Sequence, residues 1–207
     1  MIFSCVLRKS LAFGPEHVEW LGRQVERFYP ECEFRPFSDV PLGIPHEILR
    51  DNLPTWWSKM EAYARLQALA PVTMLDLDTV ITRRLELPVP EEDFAYMQAS
   101  PRHVEKVWGG FQISSPRFRR TVVEHFYKDP EAAMAACNGC DQKYYTAHHR
   151  SKIKILNALI PDAIVSYKMH VLQQGLQPAN AFIMFHALPR PWHCQESWIP
   201  RLLPPSE

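Results

Sequence analysis

Two carboxylates one residue apart, Asp76 and Asp78, are the residues of this chain whose types and spacing most directly suggest chemistry. They stand in the segment MLDLDTV, at the end of the apolar run Val72–Leu77. Because alternate side chains of a strand share a face, both acids project the same way if the strand continues through them. Two such carboxylates form a hard-oxygen site suited to Mg²⁺ or Mn²⁺. The alternative is a solvated loop that carries two acids.

The segments before this pair alternate between strand and helix patterns. Helix Glu16–Phe28 is predicted from apolar residues at three- and four-residue spacings. The other predicted elements are strands Ile2–Leu7, Cys32–Phe37 and Val72–Leu77, helix Trp56–Leu69 and loop Val40–Pro54. This alternation indicates a parallel sheet with right-handed crossovers. In such sheets ligands bind beyond the carboxyl ends of the strands, which is where the two acids lie.

The second half of the chain is less regular but continues the mixture of helices and strands. The predicted elements are strands Phe94–Gln98, Lys106–Ile113, Ile164–Tyr167 and Ala181–Phe185 and helices Ser115–Tyr127 and Asp141–Ala158. From Leu188 onward the prolines predict an irregular tail. Together the two halves predict an α/β fold.

Composition limits the classes of protein to be considered. A chain of 207 residues with 46% hydrophobic content can build one α/β domain. Lys plus Arg equals Asp plus Glu, at 23 each, so net charge favours neither nucleic acid nor a membrane surface. We expect no signal peptide and no membrane span, because the N-terminus is charged early and no apolar run reaches 18 residues. Five cysteines without a regular framework predict reduced thiols and a cytoplasmic location.

Several short motifs occur along the chain, and their order is more specific than any one of them. The segment T-W-W-S-K-M-E at Thr55–Glu61 precedes a helix, a strand and then D-L-D-T-V. Further along come G-C-D-Q at Gly139–Gln142, S-Y-K at Ser166–Lys168 and F-H-A-L-P-R-P-W at Phe185–Trp192. This order, over about residues 1–192, resembles nucleotide-sugar-dependent glycosyltransferases of the GT-A fold, especially small bacterial and phage members related to family 8. D-x-D alone is a weak motif, and the combination is much more specific.

The resemblance implies one GT-A-type, Rossmann-like domain over residues 1–207, with a mostly parallel twisted sheet flanked by helices. Residues 1–80 would form the nucleotide-binding half, 81–192 the donor-sugar and acceptor half, and 193–207 an irregular tail. The implied activity is metal-dependent transfer of a sugar from a nucleotide-sugar donor, a UDP-sugar, with retention of configuration. The acceptor, a glycan, lipid, protein or modified DNA, and the oligomeric state are not predicted.

The resemblance also implies roles for individual residues. Asp76, Asp78 and His186 would hold the metal, and the imidazole favours Mn²⁺ over Mg²⁺. Asp76 would alternatively hold the donor ribose and a metal-bound water. Lys59 and Arg190 would stabilise the diphosphate as the sugar–phosphate bond breaks. The remaining implied contacts are to the donor sugar, from Asp141 and Gln142, and to the nucleotide, from Asp39 and Arg8.

The sequence departs from the family pattern at three places. Where relatives carry an asparagine, serine and glycine segment, this chain has V-W-G-G-F-Q-I-S at Val107–Ser114, in which Gln112 and the Gly109–Gly110 pair would replace the lost contacts. The glycine after the last histidine is Ala187, and the final lysine is Arg190. These changes leave the donor and acceptor specificity open.

Three other functions fit parts of the sequence. D-L-D-T-V also matches haloacid-dehalogenase-like phosphatases, with Asp76 as nucleophile and Mg²⁺ as cofactor, although that motif usually follows the first strand. Cys137 and Cys140, followed by His148 and His149, have partial zinc-ligand spacing.

The third alternative is a non-catalytic module that binds nucleic acid or another ligand through basic side chains. The first basic cluster is Arg102, Lys106, Arg117, Arg119 and Arg120, and the second is Lys143, His148, His149, Arg150, Lys152 and Lys154. Such runs usually form a solvated face. In a glycosyltransferase they would instead favour an acidic acceptor.

Overall fold

A computed structural model describes residues 1–100, 106–138, 140–174 and 181–202 of the chain. It is a mixed α/β structure, as the alternation of elements predicts. The α-helices are α1 Pro15–Phe28, α2 Ser58–Leu66, α3 Pro116–Phe126, α4 Pro130–Ala136, α5 Asp141–His149 and α6 Leu156–Leu159. Short 3-10 helices cover Thr55–Trp57, Arg150–Lys152 and Pro191–His193, and a π-helix covers Tyr167–Leu172. None of the described helices is both long enough and apolar enough to cross a bilayer.

Twelve strands, most of them short, make up the described sheets. They are β1 Ile2–Ser4, β2 Val6–Leu7, β3 Glu33–Phe34, β4 Phe37–Ser38, β5 Glu47–Ile48, β6 Val72–Leu75, β7 Thr79–Ile81, β8 Ala95–Ala99, β9 Val107–Ser114, β10 Ile153–Ile155, β11 Ile164–Ser166 and β12 Phe182–Met184. A central six-stranded sheet has the order β10-β8-β9-β6-β1-β3, and two three-stranded sheets have the orders β2-β4-β5 and β11-β12-β7.

The central sheet is mostly parallel, which confirms the predicted fold class. β1 runs parallel to β3 and β6, and β8 runs parallel to β10. β9 is antiparallel to both β6 and β8 and therefore brings its own glycines beside the end of β6. Because β1 and β6 are parallel neighbours, their carboxyl ends lie at one edge of the sheet.

Helices cover both faces of the central sheet, so its strands are apolar on both sides. Along β6, Met74 belongs to the core beneath α2 and α3, whereas Leu75 belongs to the core beneath α1. α1 contributes Val18, Leu21 and Val25 to that second core, at the spacing that places them on one helix face. The end of β6 is thus held firmly between two packed layers.

Two predicted strands are split in the structure. The strand predicted over Ile2–Leu7 breaks at Cys5, because β1 pairs in the central sheet and β2 pairs with β4 in a different one. The strand predicted over Cys32–Phe37 splits into β3 and β4 for the same reason. Which strand pairs with which depends on residues distant in sequence, so the local apolar pattern does not predict where these strands break.

The single helix predicted over Asp141–Ala158 is wrong. α5 ends at His149, and the chain then forms a 3-10 turn, β10 and α6. Ile153 and Ile155 pair with Ala95 and Met97 of β8 and extend the central sheet by one strand. Their β-branched side chains suit a strand, and the available sheet edge overrides the helical pattern.

The sequence places Arg119 in a basic cluster, but the structure shows that it is a buried structural cation and not part of a basic surface. It is fully buried on α3 and donates hydrogen bonds to the carbonyls of Leu66, Leu69 and Ala70, at 2.9–3.1 Å, and to that of Ser114. Burial lowers the pKa of its guanidinium to about 10. Arg119 therefore ties the end of α2 and the following loop to β9.

Replacing Arg119 by methionine should lower the free energy of unfolding by roughly 3 kcal/mol, since several buried carbonyls lose their donor. Chemical denaturation measures this loss. Arg120→Met, at the exposed neighbouring position on α3, is the matched control and should change stability by less than about 0.5 kcal/mol. Equal stability of the two variants would contradict the structural role of Arg119.

Several other members of the two basic clusters are paired with acids or buried. Arg117 pairs with Asp93 at 2.8 Å, Lys154 pairs with Glu91, and His149 is buried. Arg102 lies outside the described residues. The charges available for an acidic partner are therefore fewer than the sequence suggests.

Candidate active site at the carboxyl end of the sixth strand

Asp76 and Asp78 lie on a turn between two sheets and not on one strand. β6 ends at Leu75, and Thr79 donates to the Asp76 carbonyl from both its amide, at 3.1 Å, and its hydroxyl, at 2.7 Å. The Asp76 amide still donates to the Gly110 carbonyl of β9, at 2.9 Å. The turn connects β6 of the central sheet to β7 of a three-stranded sheet. The two carboxylates therefore lie in different surroundings.

Lys59 of α2 holds the first of these carboxylates. Its Nζ donates to Asp76 Oδ1 at 2.7 Å and to the Gly109 carbonyl at 2.9 Å, and it lies 3.7 Å from Asp141 Oδ2. Only 6% of the Lys59 side chain is exposed, against 35% for Asp76. Burial opposes the charge of Lys59, but Asp76 and Asp141 outweigh it and raise the pKa of its ammonium above the ordinary value.

Asp141 reaches the same ammonium from the first residue of α5. Its carboxylate is buried, and burial raises its pKa to about 6 although Lys59 opposes that shift. Lys59 thus joins two carboxylates that are far apart in sequence, each at the beginning or end of a different element. The motif residues that the sequence singles out on α2, on the turn and on α5 meet at one point.

Asp78 has a separate cationic partner, Arg190. The Arg190 guanidinium donates to Asp78 Oδ2 and lies over the Phe13 ring, with 4.8 Å from Cζ to the ring centroid. Asp78 itself is buried; burial and the nearby charge of Asp76 raise its pKa to about 7, and Arg190 opposes them. The Phe185 amide donates to the Asp78 carbonyl at 3.3 Å, which brings the end of β12 to the turn.

Two glycines of β9 leave room for these carboxylates. A Cβ at Gly110 would lie 3.1 Å from Asp76 Oδ2, and one at Gly109 would lie 3.1 Å from Asp141 Oδ2. Gln112 lies on the same strand, two residues after Gly110. It is fully buried, donates to the Gly109 carbonyl at 2.7 Å and accepts from the Tyr63 hydroxyl at 2.5 Å. Gln112 fixes the carbonyl that accepts from Lys59, a role that the motif comparison could not supply.

The other predicted residues lie around this centre. Arg8 and Asp39 approach within 3.8 Å of each other beyond β2 and β4, and Arg8 also donates to the Ser58 hydroxyl at 2.8 Å. Gln142 follows Asp141 on α5, and its Cγ would lie 3.5 Å from a Cβ at Gly109. His186 follows β12 and packs edge-on against Trp108, with ring centroids 4.6 Å apart. Gly139 of the G-C-D-Q motif lies outside the described residues.

Among the described residues there is no group of three or more His, Cys, Asp or Glu side chains placed to hold a metal ion. This applies to Asp76, Asp78 and His186 as well as to the zinc spacing at Cys137 and Cys140, and both metal sites stay predictions. The two carboxylates nevertheless fit a divalent cation. Asp76 is partly exposed, and its charge disfavours ionisation of Asp78, a repulsion that a divalent ion relieves.

His149, one of the residues with zinc-ligand spacing, is a buried side chain on α5. It is 5% exposed and lies 5.4 Å from both His125 and Tyr144, measured between ring centroids. Burial, together with the nearby His125 and His148, lowers the pKa of His149 to about 4. The folded protein therefore keeps this imidazole neutral at pH values where the unfolded chain binds a proton.

Acid should destabilise the protein through His149. The folded-state pKa is lowered, so the native state binds fewer protons than the unfolded state between pH 6.5 and about 4. Stability is then fully present above pH 6.5 and falls on acidification by up to about 3 kcal/mol. His149→Gln should flatten this slope in denaturation curves across that window, and His193→Gln, at an exposed position, should not. An unchanged slope in His149→Gln would contradict the assignment.

Comparison with known proteins identifies the fold. No family model matches the chain, and no curated protein matches it either. The solved glycosyltransferase GlyE of Streptococcus pneumoniae TIGR4 superposes with a TM-score of 0.65 at 12% identity, covering 92% of this chain and 56% of GlyE. The galactosyltransferase LgtC, solved with donor and acceptor sugar analogs, superposes with a TM-score of 0.62 at 13% identity, covering 93% of this chain and 90% of LgtC. The chain thus spans little more than half of GlyE and most of LgtC, and it has their GT-A-type fold.

Proposed function

We propose that this chain is a glycosyltransferase that moves a sugar from a UDP-sugar to an acceptor, with Mn²⁺ as the cofactor. The observation that carries the proposal is the meeting of Lys59, Asp76, Asp78 and Arg190 at the carboxyl end of β6. This is the edge at which open α/β sheets bind ligands, and here it belongs to a fold shared with solved glycosyltransferases. Those proteins support sugar transfer over the phosphatase alternative.

Asp76 and Asp78, with His186, would hold the divalent ion. When bound, that ion would neutralise charge on the departing nucleoside diphosphate. Asp78 now pairs with Arg190 through Oδ2, and a divalent ion at Asp78 would compete with that guanidinium for the carboxylate. We infer that Arg190 then turns its guanidinium to the diphosphate, which it can bind through two parallel hydrogen bonds.

Lys59 acts from behind the carboxylates. Because its ammonium is buried between Asp76, Asp141 and the Gly109 carbonyl, we assign it to positioning these groups and not to direct phosphate contact. A fixed cation at this point holds Asp76 in one orientation before the donor arrives. This differs from the phosphate contact that the family resemblance implies.

The donor sugar would lie beside α5. Asp141 and Gln142 lie beside Gly109, and carboxylate or amide oxygens there can accept hydrogen bonds from sugar hydroxyls. Arg8 and Asp39, at the carboxyl ends of β2 and β4, would contact the nucleotide. In this arrangement the diphosphate lies between the two groups, over the turn that carries Asp76 and Asp78.

Thermal unfolding in the presence of UDP tests the proposal. UDP with Mn²⁺ should raise the midpoint by about 5–10 °C at roughly 100 times the dissociation constant, because a ligand that binds only the native state stabilises it. UDP with EDTA should give little shift, and adenosine diphosphate with Mn²⁺ is the control for the base. The absence of a shift with every nucleoside diphosphate, metal present, would sink the proposed function.

A further inference from the structure

A cavity lies between α1 and the closing segment, residues 197–201. Its volume is about 460 Å³. Its walls include Trp20, Arg23, Arg27 and Phe28 from α1 and Trp198 and Arg201 from the closing segment. The Trp20 indole donates to the Pro200 carbonyl at 2.9 Å and so fastens that segment to the helix. None of the predicted site residues lines this cavity.

The charged side chains that line the cavity are all cationic. Arg23, Arg27 and Arg201 line it, and no Asp or Glu of the described chain does. Arg23 and Arg27 are four residues apart on α1, a spacing that makes two like charges neighbours and slightly destabilises the helix. In the described part of the chain, none of the three arginines lies within 4.0 Å of a carboxylate.

Two of the acids near these arginines have other partners. Glu19, one turn before Arg23, accepts from the Gly43 amide at 3.0 Å. Glu31, one turn after Arg27, pairs with Arg84 at 2.6 Å. The sequence thus supplies acids on both sides of the arginine pair, and the fold directs both of them elsewhere. The positive charge of the cavity is left for an external anion.

Aromatic rings supply the rest of the wall. Trp20 is buried, whereas Phe28 and Trp198 are half-buried, so both keep part of their rings accessible. Arg27 lies over the Phe28 ring, with 5.2 Å from Cζ to the centroid. Guanidinium groups beside flat apolar faces can bind a carboxylate or phosphate through hydrogen bonds while the ring of the same ligand packs against the aromatic side chain.

We propose that this cavity binds an acidic saccharide, that is, a sugar carrying a carboxylate or a phosphate group. The arginines would contact the acidic group, and Trp198 with Phe28 would contact the apolar face of the sugar ring. The anionic, ring-bearing character of the ligand follows from the cavity alone, and the choice of a saccharide rests on the proposed function. The site would hold an acidic glycan at a distance from the reacting centre.

Saturation-transfer NMR titrations at low salt test this proposal with four probes. The acidic probes are 3′-sialyllactose, which carries a carboxylate, and glucose 6-phosphate; lactose and glucose are their neutral counterparts. At least one acidic probe should bind with a dissociation constant on the order of 1 mM or tighter, and its counterpart at least tenfold more weakly. Which acidic probe binds distinguishes a carboxylate from a phosphate as the recognised group.

The double variant Arg23→Ala/Arg27→Ala should weaken binding of that acidic probe at least tenfold, whereas Arg120→Ala, on exposed α3 surface, should not. Arg23 and Arg27 are exposed, so the double variant should fold, and its unfolding midpoint checks this. Unchanged binding in the double variant, or equal binding of neutral and acidic sugars, would overturn the proposal.

A titration with uridine monophosphate tests whether the cavity prefers a nucleotide, another ring-bearing anion, to an acidic saccharide. If it binds more tightly than both acidic sugars and loses that binding in the double variant, the cavity is a nucleotide site and the saccharide assignment is wrong. Retained binding in the double variant places the nucleotide elsewhere and leaves the proposal standing. These titrations need no metal and no transfer activity, so their failure and the failure of the proposed function are separate results.

Discussion

An Asp78→Asn variant is expected to hydrolyse a UDP-sugar at least about a hundredfold more slowly than the wild-type protein, at saturating Mn²⁺. Asparagine keeps the shape of the side chain, and its amide oxygen can still accept from Arg190, so the fold should be retained. What it removes is the anionic oxygen pair that the proposed metal site requires. The measurement is UDP release with and without EDTA, with thermal unfolding as a check on folding.

Two controls sharpen this result. Glu124→Gln, at an exposed position on α3, makes the same change of charge far from the turn and should keep the wild-type rate. Calorimetric titration should show the affinity for UDP with Mn²⁺ falling at least tenfold in Asp78→Asn only. A rate in Asp78→Asn within twofold of the wild type would remove Asp78 from the metal site.

Replacing Lys59 by methionine is expected to lower the free energy of unfolding by about 3–5 kcal/mol. Lys59 is buried, and its loss leaves two carboxylates, Asp76 and Asp141, without the cation between them. A buried ion pair broken on one side costs more than the pair contributed, because the remaining charge is left uncompensated. Denaturant unfolding at neutral pH measures the loss.

A double-mutant cycle tests whether the loss of stability in Lys59→Met comes from uncompensated negative charge. Asp141→Asn in the Lys59→Met background removes one of the two uncompensated acids and should restore part of the stability, with a coupling of about 0.5–3 kcal/mol. Lys128→Met, at an exposed position, is the matched control and should change stability by less than about 0.5 kcal/mol. Additive effects in the cycle would contradict a charge interaction between Lys59 and Asp141.

Much of the fold follows from local sequence patterns. The spacing of Val18, Leu21 and Val25 predicts α1, and the run Val72–Leu77 predicts a strand that delivers the two acids. These signals are local, because helix and strand periods are set by neighbouring residues. The divisions of the chain into halves at residue 80 and into a tail at 193 are not decided by them and stay predictions.

The arrangement inside the candidate site depends on residues far apart in the chain. Arg190 and Asp78 are 112 positions apart in the sequence, and Lys59 and Asp141 are also far apart in it. No local pattern indicates that the two acids of one motif have different cations or that the Gln112 amide donates to the Gly109 carbonyl. Motif order indicates which residues belong to one site, and only the fold shows which of them pair.

A panel of nucleotide sugars, each incubated with the wild-type protein and Mn²⁺, tests the central claim most directly. The readout is release of the nucleoside diphosphate, which requires no knowledge of the acceptor. We expect at least one UDP-sugar to be hydrolysed, with the rate abolished by EDTA and reduced at least about a hundredfold in Asp78→Asn. Hydrolysis of none of the nucleotide sugars, by protein that unfolds cooperatively, would contradict the account.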